Sequence, residues 1–238
     1  MRHLIGGLTA AAALLIVGVV AAMTVQPVVV DMSMTGRQMS APVRVENNGP
    51  NPLPVEVRLV ETDFAVDAVG ASDRLSDDII AFPPQAIIPP GETQVFRLQF
   101  VGDPGSDRSK HYYAEVAQLP VELPEGQSAI QILYNFQVMV NVASVIAGDP
   151  VLTIESAEIV QNAEGKNMAA FTVRNSGRNY GYLSSGSLTL RHTDASGAET
   201  VRRTLSSNDI QQMIGFGLVQ AVRVHRYSEV SSGKGSLF

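Results

Sequence analysis

The stretch Ala129-Ile-Gln-Ile-Leu-Tyr-Asn-Phe-Gln-Val-Met-Val-Asn-Val142, AIQILYNFQVMVNV, alternates for more than twice the usual strand length of about 5 to 6 residues. Read as one strand, it puts Ile130, Ile132, Tyr134, Phe136, Val138, Val140 and Val142 on one face. Gln131, Leu133, Asn135, Gln137, Met139 and Asn141 fall on the other. The first face is wholly apolar. At about 3.3 Å per residue the strand runs roughly 45 Å, longer than a small sandwich is deep, so part of it is expected to reach beyond its own core. It carries no charge, proline or glycine, the devices that normally blunt an exposed edge against pairing with other chains.

The text on either side of this stretch reads as β structure. Short alternating or apolar runs cover Thr24–Met32, Ala41–Glu46, Leu53–Val60, Ala86–Ile88, Gln94–Phe100 and Tyr112–Leu119. Asn-Asn-Gly-Pro-Asn-Pro (47–52), Pro-Pro-Gly (89–91) and Asp-Pro-Gly-Ser-Asp (103–107) separate them as turn formers. Asp63, Asp67, Asp73, Asp77 and Asp78 read as a loose acidic loop, too sparse for a calcium site. After Ala147-Gly-Asp-Pro150, the natural joint, β text resumes at Val151–Ile159, Ala169–Arg174, Ser187–Arg191, Thr200–Leu205 and Leu218–Tyr227. Only Asp209–Ile214 suggests a helical turn. Val45-Glu-Asn-Asn-Gly49 is echoed by Val173-Arg-Asn-Ser-Gly177, each of the form Val-x-Asn-x-Gly.

The N-terminus, MRHLIGGLTAAAALLIVGVVAA, has a short basic start, an apolar run over Leu4–Val20 and small residues up to Ala22, the pattern of a cleaved signal peptide. The expected organisation is therefore a signal peptide at 1–22, a first domain at 23–146, a joint at 147–150 and a second domain at 151–238. Removing Arg2 takes the formal charge from −6 to −7, so the surface is acidic and nucleic acid is not an expected partner. No stable membrane insertion is expected after cleavage.

The chain has no cysteine, which removes thiolate chemistry and cysteine metal sites, and each domain must be stable through its core alone. The four histidines, His3, His111, His192 and His225, are scattered without ligand spacing, so no metal and no cofactor is expected. Without a Gly-x-Ser-x-Gly elbow or a His-centred constellation, the chain is not expected to be an enzyme.

Gln26-Pro27 in a first strand, Val45-Glu-Asn47, Phe82-Pro-Pro-Gln-Ala-Ile-Ile-Pro-Pro-Gly91, Gln94-Val-Phe-Arg97 and Tyr112–Pro120 together carry a resemblance. In that order they resemble the PapD-like periplasmic chaperones of the chaperone-usher pathway, in a divergent branch. The resemblance implies an all-β chain of two immunoglobulin-like sandwiches set at an angle. It also implies a periplasmic location and two partners, the fimbrial or pilin subunits that the chaperone binds and an outer-membrane usher to which it delivers them.

In the family the last strand of the first domain is lent to an incomplete subunit by donor-strand complementation. That assigns subunit binding to Ile130, Ile132, Tyr134, Phe136 and Val138. For Val138, Val140 and Val142 an ordinary core role is the stronger reading. The best-known members also anchor the subunit's carboxylate with an arginine in the first strand and a lysine in the last. The matching positions here hold Val29 and Met139, so Arg97 is the candidate anchor, ahead of Arg108, Lys110 and His111. Self-association of free copies through the open edge is a further expectation. The alternative, a structural subunit or adhesin of a surface fibre, fits less well with two β halves around a joint.

Overall fold

A cis proline stands at two of the points where the first domain changes sheets. The computed structural model describes residues 23–65, 68–121, 132–161, 164–165, 167–193, 196–221 and 223–230. The expected signal peptide, 1–22, lies outside these residues. β1 (Met23–Gln26) and β2 (Val29–Ser33) read as one run in the sequence but belong to opposite sheets, with the cis Gln26–Pro27 bond at the crossing. Pro27 has no N–H, so neither ladder loses a donor there. The chain continues through β3 (Ser40–Asn47), β4 (Leu53–Phe64) and β5 (Val69–Leu75). It crosses again between β6 (Ile79–Phe82) and β7 (Gln85–Ile88), at cis Phe82–Pro83.

β8 (Thr93–Phe100), β9 (Lys110–Gln118) and β10 (Asn135–Ala143) complete the first domain. One sheet runs β1-β3-β8-β6. The other runs β2-β10-β9-β4-β5, with β7 also pairing β4. Alternation along the strands sends Val43, Val45, Phe96, Leu98 and Phe100 inward from the first sheet against Val55, Val116, Val138 and Val140 from the second. All are buried.

The acidic stretch read as a loop contains β5 and leads into β6. Arg74 on β5 bonds Glu61 (2.7 Å) and Asp63 (2.6 Å) on β4, so the acids alternate with the strand instead of clustering. Asp67 lies outside the described residues.

Beyond the joint come β11 (Leu152–Gln161), β12 (Asn167–Asn175), β13 (Gly181–Tyr182), β14 (Leu188–Thr193) and β15 (Glu199–Leu205). A short helix, α1 (Ser207–Ile214), and two strands, β16 (Leu218–Val219) and β17 (Arg223–Val230), follow. A capping box between Ser206 and Asp209 starts the helix two residues before the expected turn. The order β11-β12-β17 forms one sheet, while β13 pairs β16 and β14 pairs β15. A second, smaller core gathers Phe171, Val173, Leu205, Ile210, Val219 and Tyr227. Among the described residues no helix is long and apolar enough to cross a membrane.

The Val-x-Asn-x-Gly echo has a structural cause. Asn47, at the end of β3, donates from Nδ2 to the carbonyls of Asn51 (2.8 Å) and Ile88 (2.9 Å), and its Oδ1 accepts from Gly49 N–H (2.9 Å). Asn175, at the end of β12, donates to the carbonyls of Asn179 (2.8 Å) and Val219 (3.2 Å). Its Oδ1 accepts from Gly177 N–H (2.9 Å) and Val151 N–H (3.1 Å). Each domain thus closes the turn after an early long strand, β3 in the first and β12 in the second, with one buried asparagine that also reaches across the fold. Gly177 is required beside it, because a Cβ there would meet the Asp149 carbonyl at 2.8 Å.

Replacing either asparagine with alanine leaves buried backbone groups without partners, a loss of about 2–4 kcal/mol. Urea denaturation of Asn47→Ala and Asn175→Ala is expected to show that loss. A change below about 0.5 kcal/mol, the range of neutral surface substitutions, would refute the role.

Candidate functional site

β10 changes its environment along its length. Ile132, just before the strand, is 71% exposed; Tyr134 and Phe136 are half-buried at the margin of the first core; Val138 is 1% exposed. All lie on one face, because Phe136 stands opposite Val116 and Val138 opposite Ala114, both buried. Val138 packs into its own domain's core, whereas Ile132, Tyr134 and Phe136 on the same face are left partly or wholly exposed. Ile130 lies outside the described residues. The described strand begins at Asn135, so the long strand read from Ala129 is described only over its trailing part.

The edges of β10 change at the same place. β9 pairs with it from Asn135 onward, antiparallel, whereas β2 pairs with it in parallel only from Met139 to Ala143. Gln118 N–H donates to the Tyr134 carbonyl (2.8 Å), so Tyr134, Phe136 and Val138 direct their backbone groups towards β9. By the same alternation Asn135 and Gln137 direct their N–H groups to the other side, where Met139 N–H finds the Val28 carbonyl (3.0 Å). Among the described residues no strand pairs with Asn135–Val138 on that side. Val28, at the end of this open edge, is 62% exposed.

Val29 and Met139 are register partners, so the two positions matched to the family's cations stand side by side and are both apolar. One step further along the same face, Asp31, Asn141 and His111 form a row across β2, β10 and β9. The second domain closes over this row with two tyrosines. Tyr180 and Tyr182 hydroxyls donate to Asp31 Oδ1 at 2.9 and 2.5 Å, and Asn141 Nδ2 donates to the Tyr182 hydroxyl at 2.8 Å. His111 Nδ1–H donates to Asn141 Oδ1 (2.7 Å), which fixes the neutral tautomer, and its ring meets Phe64 and Tyr180 edge to face. Beside the row, Asn179 bridges Ser144, Ala147 and Gly148, and Arg178 pairs with Asp107.

Other cations are committed elsewhere. Arg97 points outward from β8, on the opposite sheet from β10, and its Nη1 donates to Ser40 Oγ (3.1 Å). The structure does not bring it to the open edge. Arg108 pairs with Asp107 (3.4 Å) and Lys110 with Asp78 (2.7 Å). Burial pushes the Asp78 carboxyl up, but hydrogen bonds from Lys110 and Tyr112 outweigh it and hold the group below its ordinary value.

The pattern of the pili and flagellar-assembly chaperones, PapD N-terminal domain, matches residues 22–142, just over half of the chain. The chain belongs to this PapD-like chaperone family. No curated protein matches the chaperone in sequence. Its fold is similar to a chain of the CsuC–CsuE chaperone–tip adhesion subunit pre-assembly complex, from the archaic chaperone-usher Csu pili of Acinetobacter baumannii. There the identity is 15% and the TM-score 0.53, with 90% of each chain covered. It is also similar to the E. coli chaperone DraB, at 12% identity and TM-score 0.51 over 89% of this chain and 87% of that one. A third likeness is to the Salmonella enterica SafA pilin–SafB chaperone complex, at 12% identity and TM-score 0.51 over 87% and 83%. Members of the family are chaperones, not enzymes, and the chaperone acts in fimbrial assembly.

Sequence reasoning passed over the interdomain row. Its signals are an aspartate inside the apolar run Val28-Val-Val-Asp-Met32 and the aromatic pair in Asn179-Tyr-Gly-Tyr182. Burial holds the chaperone's His111 down to about 4, against the hydrogen bond to Asn141 and the Asp31 charge, which raise it. Tyr180 and Tyr182 are pushed up by burial and by Asp31, and stay protonated.

Because the folded pKa of His111 lies below the unfolded value near 6.5, the unfolded chain binds the extra proton between these two values. Stability contributed by neutral His111 is complete above pH ~6.5 and is lost as pH falls towards about 4. The melting temperature is expected to fall across that window in the wild type and to fall less steeply in His111→Gln. Equal slopes would refute the assignment.

Proposed function

We propose that this is a periplasmic chaperone that binds and stabilises fimbrial subunits by lending them the leading part of β10, and then delivers them to an outer-membrane usher. The observation that supports this most strongly is the coincidence, at Val138–Met139, of two changes in one strand. Before that point the edge is open and its apolar face reaches past the core; after it, both are closed.

An open apolar edge invites pairing with another chain, and natural proteins cover or blunt it. A subunit strand laid along Asn135–Val138 would complete the backbone ladder while Ile132, Tyr134 and Phe136 enter its groove. Each large apolar side chain buried contributes roughly 1.5 to 3 kcal/mol before ordering costs. The solved complexes from A. baumannii and S. enterica each join a chaperone to a subunit, a tip adhesin subunit in one and a pilin in the other, which is the partnership inferred here. The leader-like residues 1–22 agree with export to the periplasm.

Periplasmic co-expression with the pilin-like subunits of the same organism, followed by co-purification, tests the reading. Ile132→Asp combined with Tyr134→Asp is expected to abolish retention while circular dichroism stays that of a folded β protein. Retention by the folded double variant would overturn it. Arg97→Ala, on the far sheet, is expected to retain the subunit as the wild type does. Loss of binding there would restore Arg97 as an anchor.

A further inference from the structure

The second domain leaves its own core open along one side. On β11, Ile154 stands opposite buried Val173, Ala157 opposite buried Phe171 and Ile159 opposite Ala169, so all three face the core side of the sheet. Yet Ile154 is 46% and Ile159 47% exposed, and Ala157 is exposed as well. Among the described residues the opposing layer does not reach over them.

Between β11 and the start of β14 runs a groove of about 500 Å³, walled by Leu152, Ile154, Phe171, Leu188, Ile210 and Ile214. Among the described residues no charged side chain lines it. Both flanking strands also have an unpaired edge: among the described residues β11 pairs only with β12, and β14 only with β15. An apolar trough between two open strand edges fits an extended, uncharged peptide segment, which supplies side chains to the trough and backbone groups to an edge.

The position of the groove says which segment. Pro150, Tyr180 and Tyr182 also line it, and the hydroxyls of both tyrosines are bonded to Asp31 on β2. Asp31 lies two residues, roughly 7 Å of strand, beyond Val29, where β2 closes the open edge of β10. A chain running along Asn135–Val138 towards the second domain is stopped there by β2 and must leave the edge near the two tyrosines that line the groove. The Asp31 carboxylate at that exit disfavours an anionic end, and no cation flanks it at Val29 or Met139.

We propose that the groove between β11 and β14 receives the continuation of the bound subunit's strand, an extended apolar and uncharged segment held by burial instead of by an ion pair. This rests on β10 being the subunit-binding edge, and it extends the contact into the second domain.

Gly186 allows a test that leaves the core intact. It borders the groove, has an ordinary extended φ of −132°, and a Cβ built there meets nothing within 4 Å. The probe is the subunit that co-purifies with wild type and is lost from the Ile132→Asp, Tyr134→Asp variant. Gly186→Phe and, separately, Ile154→Asp are expected to weaken its binding about tenfold or more, with thermal unfolding unchanged in Gly186→Phe. A photo-crosslinking residue at Ile154 is expected to capture the same subunit.

Wild-type affinity in both groove variants, with binding still lost in the β10 variant, would overturn the groove and leave the edge standing. Binding retained in all of them would sink both readings. Crosslinking at Ile154 to a second copy of the chain would also overturn the proposal.

Discussion

The parallel pairing of β2 with β10 begins at Met139, and the rest of the structure's use depends on that start. Had β1 and β2 formed one uninterrupted strand in one sheet, as their sequence suggests, β2 would lie elsewhere. The crossing at Pro27 instead delivers a strand of five residues that covers only the trailing part of β10. Among the described residues, the four from Asn135 to Val138 keep an open side. Burial follows the same boundary, because Val138 is the first residue of its face that the domain fully claims.

The opposite face of β10, with Met139 and Asn141, carries the interdomain row at the trailing end of the strand. Asn141 is fully buried and would be costly there without partners, but His111, Asp31 and Tyr182 satisfy it, and the Tyr180 and Tyr182 hydroxyls bond Asp31. The row joins three strands of the first domain to the segment leading into β13. It sets the second domain against the end of the sheet, with two residues that line its groove, Tyr180 and Tyr182, bonded to Asp31 two residues beyond the start of β2. A neutral, hydrogen-bonded histidine and a tyrosine-capped carboxylate occupy this region, and the cations nearest in sequence are paired with Asp78 and Asp107.

Much of this was legible in the residues. Period-two alternation identified Ser40–Asn47, Thr93–Phe100 and Lys110–Gln118 almost to their ends, since one face of each is buried and the other is not. The paired asparagine turns were visible as punctuation. What could not be read is equally physical. Thr24–Met32 looks continuous because alternation does not say which sheet a residue joins. β5 was hidden because its exposed edge position permits Asp73 and Arg74 within a strand. Val138 and Ile132 look alike in a period-two pattern, and only the reach of the opposing sheet separates core from overhang. Arg97 looked available because distance across a sandwich is invisible in chain order.

The account rests on the open side of Asn135–Val138 being the surface that takes a subunit strand. Residue-resolved amide hydrogen exchange on the chaperone, free and bound to its co-purifying subunit, tests this directly. The N–H groups of Asn135 and Gln137 are predicted to exchange freely alone and to become protected in the complex, while those of Phe136 and Val138, already paired with β9, change little. Unchanged exchange at Asn135 and Gln137 in the complex would contradict it.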